Sequence, residues 1–183
     1  MLRPARVATV VLTASLALAA AGCGGGDDSS SGTETSAWAA DFCTAVTTWT
    51  DELQNISNDV DDPSALSADS IRQAADELDA ATQTFVDDVR ALGSPETESG
   101  QEVEDSLNTL ADTLETERSD IRDAVEGVSS LTDIPAAISA IGTSVAAMGD
   151  AFGDSLQAIE DADIDGELER AFENSDECDE LGA

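Results

Sequence analysis

Residues 71–92 read IRQAADELDAATQTFVDDVRAL, and their apolar side chains recur at intervals of three and four residues. This spacing places one apolar stripe along an α-helix, because about 3.6 residues make one turn. Gly93 follows at once as a natural C-terminal cap, with Pro95 close behind it. The stretch therefore predicts an amphipathic helix that ends at Leu92.

Three further stretches repeat this pattern, over residues 38–60, 103–128 and 134–159. The predicted core stripe includes Leu107, Leu110 and Leu114 in the second of these stretches. In the last stretch it consists of Ile134, Ile138, Ile141, Val145, Met148, Phe152, Leu156 and Ile159. The breaks between them are short, and no segment alternates apolar and polar residues with the period of two that is typical of a strand. Four long amphipathic stretches with short connections predict an all-α fold, an up-and-down four-helix bundle. A short extra helix over 164–174 leads into the last cysteine.

The first residues of the chain have the three parts of a secretory signal peptide. Arg3 and Arg6 precede an uncharged, mostly apolar run over 7–21, and small residues close the segment. The run is too short, and wrongly flanked, for a helix that spans a membrane. Cys23 follows the small residues directly, in the sequence LAAAGCGGG.

This placement of Cys23 resembles the lipobox of bacterial lipoproteins, although Ala20 stands where the family usually has leucine. The resemblance implies that residues 1–22 are removed and that Cys23 carries a diacylglyceryl group, which anchors the protein at the extracytoplasmic face of the cell membrane. With its abundant alanine, its arginine without lysine and its GCGGGDDSSSG opening, the chain resembles actinobacterial lipoproteins, and salt-adapted archaea also make acidic lipoproteins poor in lysine. Residues 23–36 are rich in Gly, Ser and Asp, which predicts a flexible tether before a domain over 37–183.

The charge of the chain excludes several functions. Its seven basic residues are all arginines, against 40 Asp and Glu, and the net charge is −33. Such a charge disfavours nucleic acid, whose phosphates it repels, and direct docking on anionic lipids. Without histidine or lysine the chain has no ordinary base for a nucleophile and cannot build a Glu-x-x-His di-iron site. We therefore expect a protein that is not an enzyme.

Two cysteines remain once Cys23 serves as the anchor, namely Cys43 and Cys178. Export places them in an oxidising compartment, where an even pair usually forms a disulfide. They lie 135 residues apart, and on the loop-entropy argument closing so long a loop stabilises a fold by about 5 kcal/mol. A metal site is the alternative, but two thiols without a histidine make a poor one.

Residues 161–169, DADIDGELE, match the first part of a calcium-binding helix-loop-helix loop. The candidate ligands are Asp161, Asp163, Asp165 and Glu169. Phe172 stands where that loop requires a bidentate glutamate. The stretch is therefore either a Ca²⁺ site or a polar turn that caps the last helix.

The fourth helical stretch has no charged residue over 134–149 and carries Gly142, Gly149 and Gly153 on nearby faces. Each glycine inside a helix costs about 0.5 to 1 kcal/mol relative to alanine, so another interaction should offset it. One explanation is close backbone approach to a neighbouring helix. The other is a face that binds a partner or contacts a membrane.

Trp38 and Trp49 lie eleven residues apart, on one side of the first helix. They either line a pocket for an apolar ligand or form part of the core. The main functional prediction is a non-enzymatic interaction or structural module of the cell envelope that contacts an envelope protein through the fourth helix. The alternatives are a cation-binding envelope protein and a carrier of a small apolar ligand between the helices.

Overall fold

The computed structural model describes residues 28–60, 67–130 and 132–179. The predicted signal peptide and Cys23 lie outside these residues. The helices are α1 (Asp28–Val60), α2 (Ala68–Leu92), α3 (Gly100–Glu126), α4 (Ile134–Ala162) and α5 (Glu167–Glu173). The described residues form no strand, so the predicted all-α class is confirmed.

The helices pack in chain order: α1 on α2, α2 on α3 and α3 on α4, while α5 returns against α1. Because the connections are short compared with the helices, successive helices run in opposite directions. The predicted up-and-down four-helix bundle with a short C-terminal helix is confirmed. The seam between α1 and α4 is far less developed than the other seams between neighbouring helices.

Local hydrogen bonds set the helix boundaries. Ser67 begins α2 with a capping box: its hydroxyl accepts from the Ser70 amide at 3.1 Å, and the Ser70 hydroxyl accepts from the Ser67 amide at 2.8 Å. Asp133 precedes α4, and its carboxylate accepts from the hydroxyls and backbone amides of Ser130 and Ser129. These hydrogen bonds, led by the Ser130 hydroxyl, lower the pKa of Asp133.

An aromatic layer joins three helices in the middle of the bundle. Trp49 of α1 stacks on Phe85 of α2 with ring centroids 4.6 Å apart, and Phe152 of α4 lies 6.1 and 6.4 Å from these two rings. The Trp49 indole donates to the Thr82 hydroxyl at 3.3 Å, so its polar atom is satisfied inside the core. Trp49 is therefore a core residue.

A second aromatic group lies closer to the start of α1. Trp38 stacks on Phe42 at 5.6 Å, and Phe172 of α5 packs against both rings. The Trp38 indole donates to the Gly93 carbonyl at 3.1 Å. Gly93 has a φ of 63°, a left-handed conformation that glycine adopts without strain and that ends α2. The core interpretation of both tryptophans agrees with these contacts.

Helix α1 begins earlier than predicted. It starts at Asp28, so residues 28–36 of the predicted flexible tether continue the helix. Thr35 is buried, and its hydroxyl donates to the Glu96 carbonyl at 3.3 Å, in the connection between α2 and α3. The prediction of a coil was wrong for these residues. It relied on an apolar stripe as the sign of a helix, and this polar segment has none although it contacts the connection between α2 and α3.

Helix α4 buries only part of its predicted stripe. Its buried residues are Ile134, Ala137, Ser144, Met148, Ser155 and Ile159. By contrast, the predicted core residues Ile138, Val145 and Leu156 are 43%, 41% and 41% exposed. The prediction was right for Ile134, Met148 and Ile159. It was wrong for the three exposed residues because it gave core positions only to large apolar side chains, whereas small side chains of α4 are also buried.

The sulfur atoms of Cys43 and Cys178 lie at bonding distance, 2.01 Å, and the two Cα atoms are 5.1 Å apart. Both residues are buried. The bridge fastens the segment after α5 to α1 across a separation of 135 residues. The predicted disulfide is confirmed.

Replacing both residues, Cys43→Ala and Cys178→Ala, should lower the free energy of unfolding by about 2 to 5 kcal/mol, because the unfolded chain regains the entropy of an open loop. Urea denaturation of the oxidised chain and of the double variant measures this loss. Urea is the suitable denaturant because it is uncharged and does not screen the repulsion between the carboxylates of this acidic chain. A reductant should lower the stability of the unaltered chain to a similar extent and leave the double variant unchanged. Equal urea midpoints for the two chains would contradict the prediction.

Candidate functional site

One side of α4 carries four small residues that we call the glycine flank: Gly142, Ala146, Gly149 and Gly153. All four are exposed. A Cβ atom added to any of the three glycines would meet no heavy atom within 4 Å outside its own helical turn. Close approach to a neighbouring helix therefore does not explain these glycines, and that alternative was wrong.

The helix that carries this flank is unusually apolar for its exposure. An 18-residue window of α4 has a mean hydropathy of 1.2, yet only 17% of it is buried. By length and composition alone, it is the one helix of the described chain that passes as a candidate membrane span. Contiguous exposed apolar surface on a folded domain commonly marks a contact with another molecule.

An open apolar groove of about 370 Å³ lies beside the glycine flank, between α1, α2 and α4. Its principal side chains are Leu53 and Ile56 of α1, Ile71 and Leu78 of α2, and Ile138 and Val145 of α4. Within the part of the chain that the structure describes, every lining residue is Ala, Gly, Val, Leu or Ile apart from Ser57, and none is charged. The groove could therefore accept apolar groups without burying an ion.

The apolar spacing predicts core positions for most of the groove residues, so the periodicity does not reveal that they form an open site. The signal that could have revealed it is the absence of charge over 134–149. One helix seam cannot cover an apolar surface that extends so far around a helix. Leu53 and Ile56 are only partly buried in the observed fold for the same reason, because no other described helix covers them.

The candidate calcium loop serves as a cap for α5. One oxygen of Asp163 accepts from the Glu167 amide at 2.9 Å, and the other accepts from the Glu169 amide at 2.8 Å. Gly166 supplies the turn with a φ of 65°. Within the described ranges, no three His, Cys, Asp or Glu side chains gather to hold a metal ion. Asp161 and Asp165 are not brought together with Asp163, so the geometry favours the capped turn.

A smaller cleft of about 200 Å³ lies between α2 and α3, where three arginines gather. Arg118 and Arg122 both donate to the same oxygen of Asp79, at 3.0 and 2.7 Å. Arg72 donates to the Val128 carbonyl at 2.6 Å and to Asp69. Because protein acceptors already bind these guanidinium groups, the cleft offers little free positive charge to a ligand.

Comparison with known proteins gives no match: no protein-family model, curated protein or solved structure is significantly similar to this chain. The function is therefore inferred from the residues and their geometry.

Replacing the capping carboxylate, Asp163→Ala, should lower the free energy of unfolding by about 1 kcal/mol, because two amides of α5 lose their acceptor. Thermal melts in chelator and in millimolar calcium should show the same loss. Asp161→Ala is the control, since Asp161 lies at the end of α4 and is exposed. A rise in Tm with calcium but not magnesium, abolished by Asp163→Ala, would contradict the capped turn and support a Ca²⁺ site.

Proposed function

We propose that the protein is a lipoprotein anchored to the extracytoplasmic face of the cell membrane through Cys23, and that it acts as a non-enzymatic interaction module of the cell envelope. The glycine flank of α4 is its contact surface for a partner protein. The observation that carries this proposal is the open space beside Gly142, Gly149 and Gly153, the first two of which lie on the uncharged stretch 134–149 of an otherwise acidic chain.

Small side chains on one side of a helix support a protein partner. Gly and Ala allow the backbone of a second helix to come close, which increases van der Waals contact along both helices. Without such a contact, three exposed glycines within α4 destabilise the helix and no other interaction offsets this cost. Contact with a partner offsets that cost, and it covers apolar surface that the bundle leaves exposed.

Acidic residues on α4 argue against a membrane as the contact. Asp150 and Asp154 are exposed on this helix, close to the flank. Moving a carboxylate into a bilayer costs several kcal/mol, and a net charge of −33 repels anionic headgroups. A protein surface with an apolar ridge, flanked by basic residues, complements both the flank and these carboxylates.

The position of the proposed anchor fits an outward-facing module. Cys23 lies a few residues before Asp28, where α1 begins. Two acyl chains on one residue give stable anchoring. From Asp28 to Leu53 the helix rises by about 38 Å, at about 1.5 Å for each residue. The end of the bundle that contains the groove is therefore remote from the start of α1.

The anchor is tested with Cys23→Ser in the native host. The unaltered chain should incorporate a labelled fatty acid and sediment with membranes, whereas the variant should lose the label and leave the membrane fraction. The double cysteine variant that lacks the disulfide is the matched control, and it should keep the label. Retention of the fatty acid by Cys23→Ser would refute lipidation at this residue.

The flank is tested on intact cells with a photo-reactive amino acid at position 149. We expect one protein adduct, identified by mass spectrometry, that is absent when the same amino acid replaces Ala140. Ala140 is also exposed on α4, on the other side of the contact with α3. The same adduct from both positions, or none from position 149, would count against the flank.

Two variants of Gly149 separate partner binding from folding. Gly149→Asp should abolish the adduct from a photo-reactive group placed at Gly153, because it buries a carboxylate in the contact. Gly149→Ala should raise the free energy of unfolding by about 0.5 to 1 kcal/mol, since its methyl group enters open space. Unfolding of both variants would show that the position is structural and would contradict the proposal.

A further inference from the structure

The groove beside the flank has a floor and two walls. Ile71 and Leu78 of α2 form the floor and are 4% and 5% exposed. Leu53 of α1 stands on one side, and Ile138 and Val145 of α4 stand on the other, 43% and 41% exposed. The described helices α1, α2 and α4 thus form an apolar groove that is closed on three sides and open on the fourth.

The chemistry of the lining selects against charged ligands. Among the described residues that line the groove, the one polar side chain is Ser57, which offers a hydroxyl. A carboxylate or phosphate would enter the field of a chain of net charge −33 without a cation in the lining. Arg118 and Arg122 belong to the separate cleft between α2 and α3, where Asp79 binds both. A buried cationic group would find no carboxylate among the lining residues.

The size of the groove suits a hydrocarbon chain. Its volume of about 370 Å³ lies within the range of about 300 to 1,000 Å³ that is usual for small-molecule sites. It is more than twice the volume of about 150 Å³ that suffices to bind benzene in an apolar cavity. Ile138 and Val145 lie about two helical turns apart on α4, so the wall extends for about 10 Å along the helix axis.

From this combination we infer that the groove binds an uncharged, elongated apolar molecule, with its hydrocarbon chain between α1 and α4 and a small hydroxyl-type head near Ser57. A neutral lipid and a free long-chain alcohol share this chemistry. A second copy of the protein fits less well, because two chains of net charge −33 repel each other. The inference goes beyond the proposed function, which concerns protein contact at the glycine flank.

The test uses the full chain with Cys23→Ser, purified without detergent because detergent would fill the groove. The probe is 1-aminoanthracene, a small uncharged fluorophore at neutral pH. Its fluorescence should rise on binding and fall again as 1-dodecanol displaces it. Dodecanoate, which has the same chain with a carboxylate, should displace the probe about tenfold or more weakly. Equal displacement by the two compounds would overturn the selection for an uncharged head.

Two neighbouring substitutions locate the binding site. Val145→Asp places a carboxylate in the wall of the groove and should weaken probe binding about tenfold or more. Ala146→Asp places the same carboxylate one residue later, on the glycine flank and outside the lining, and should leave probe binding unchanged. Both side chains are exposed, so neither substitution removes core packing.

The outcomes separate this inference from the proposed function. No rise in fluorescence, or the same loss in both variants, would overturn the groove as a ligand site, whereas adducts at position 149 would still support the flank. Neutral vesicles of diacylglycerol and phosphatidylcholine, compared with anionic vesicles, distinguish the two sources of the ligand. Transfer of diacylglycerol from the neutral vesicles to the protein, with release of bound dodecanol, indicates a lipid source. Binding of free dodecanol without such transfer indicates a soluble alcohol. A photo-adduct at Val145 with a polypeptide instead of a small molecule would overturn the ligand class.

Discussion

The contact of α4 with α3 determines which surfaces of the bundle remain open. Small side chains of α4, among them Ser144 and Ser155, are buried in place of its larger neighbours. The Ser155 hydroxyl lies 3.1 Å from the hydroxyl of Ser106 on α3, within hydrogen-bonding distance. Burying this side of the helix leaves Ile138 and Val145 outward, next to α1. The groove and the glycine flank therefore both follow from the orientation of one helix.

The distribution of ion pairs also distinguishes α4 from its neighbours α2 and α3. Arg90 pairs with Asp112 at 2.8 Å and with Glu115 at 2.5 Å, and its hydrogen bond to Glu115 lowers the pKa of that carboxyl group. Arg118 and Arg122 likewise join α3 to α2. In the ranges that the structure describes, no ion pair involves α4. Ion pairs thus reinforce the α2–α3 hairpin, whereas α4 depends on apolar and hydroxyl contacts and keeps a side available to other molecules.

The sequence predicts the helices and their core best where large apolar residues match the buried stripe. In α3, Leu107, Leu110 and Leu114 are predicted and observed in the core. The disulfide is equally predictable, because the sequence predicts export and only Cys43 and Cys178 remain once Cys23 is assigned as the expected anchor. The orientation of α4 is not predictable in this way. Apolar periodicity weights large side chains, and a rotation of less than one residue step moves Val145 from the core to the surface.

The start of α1 and the role of the DADIDG loop depend on contacts that a linear pattern does not contain. Thr35 belongs to a polar segment, and the hydrogen bond from its hydroxyl to the carbonyl of Glu96, 61 residues away, helps to explain why the helix includes it. Asp163 has the spacing of a calcium ligand, but the amides of α5 occupy both of its oxygens. In each case a tertiary or capping contact decides between conformations that the composition allows equally.

Gly142 links the two open surfaces of α4, because it belongs to the glycine flank and also lines the groove. A protein that covers this residue alters the mouth of the groove, and a molecule in the groove alters the surface that the protein meets. If both bind, their equilibria are therefore coupled, and each must change the affinity of the other by the same factor. In the proposed anchored protein, Leu53 at the groove lies about 38 Å along α1 from Asp28, and a net charge of −33 is repelled by anionic lipids. Under that proposal, the coupled pair is held away from the membrane surface.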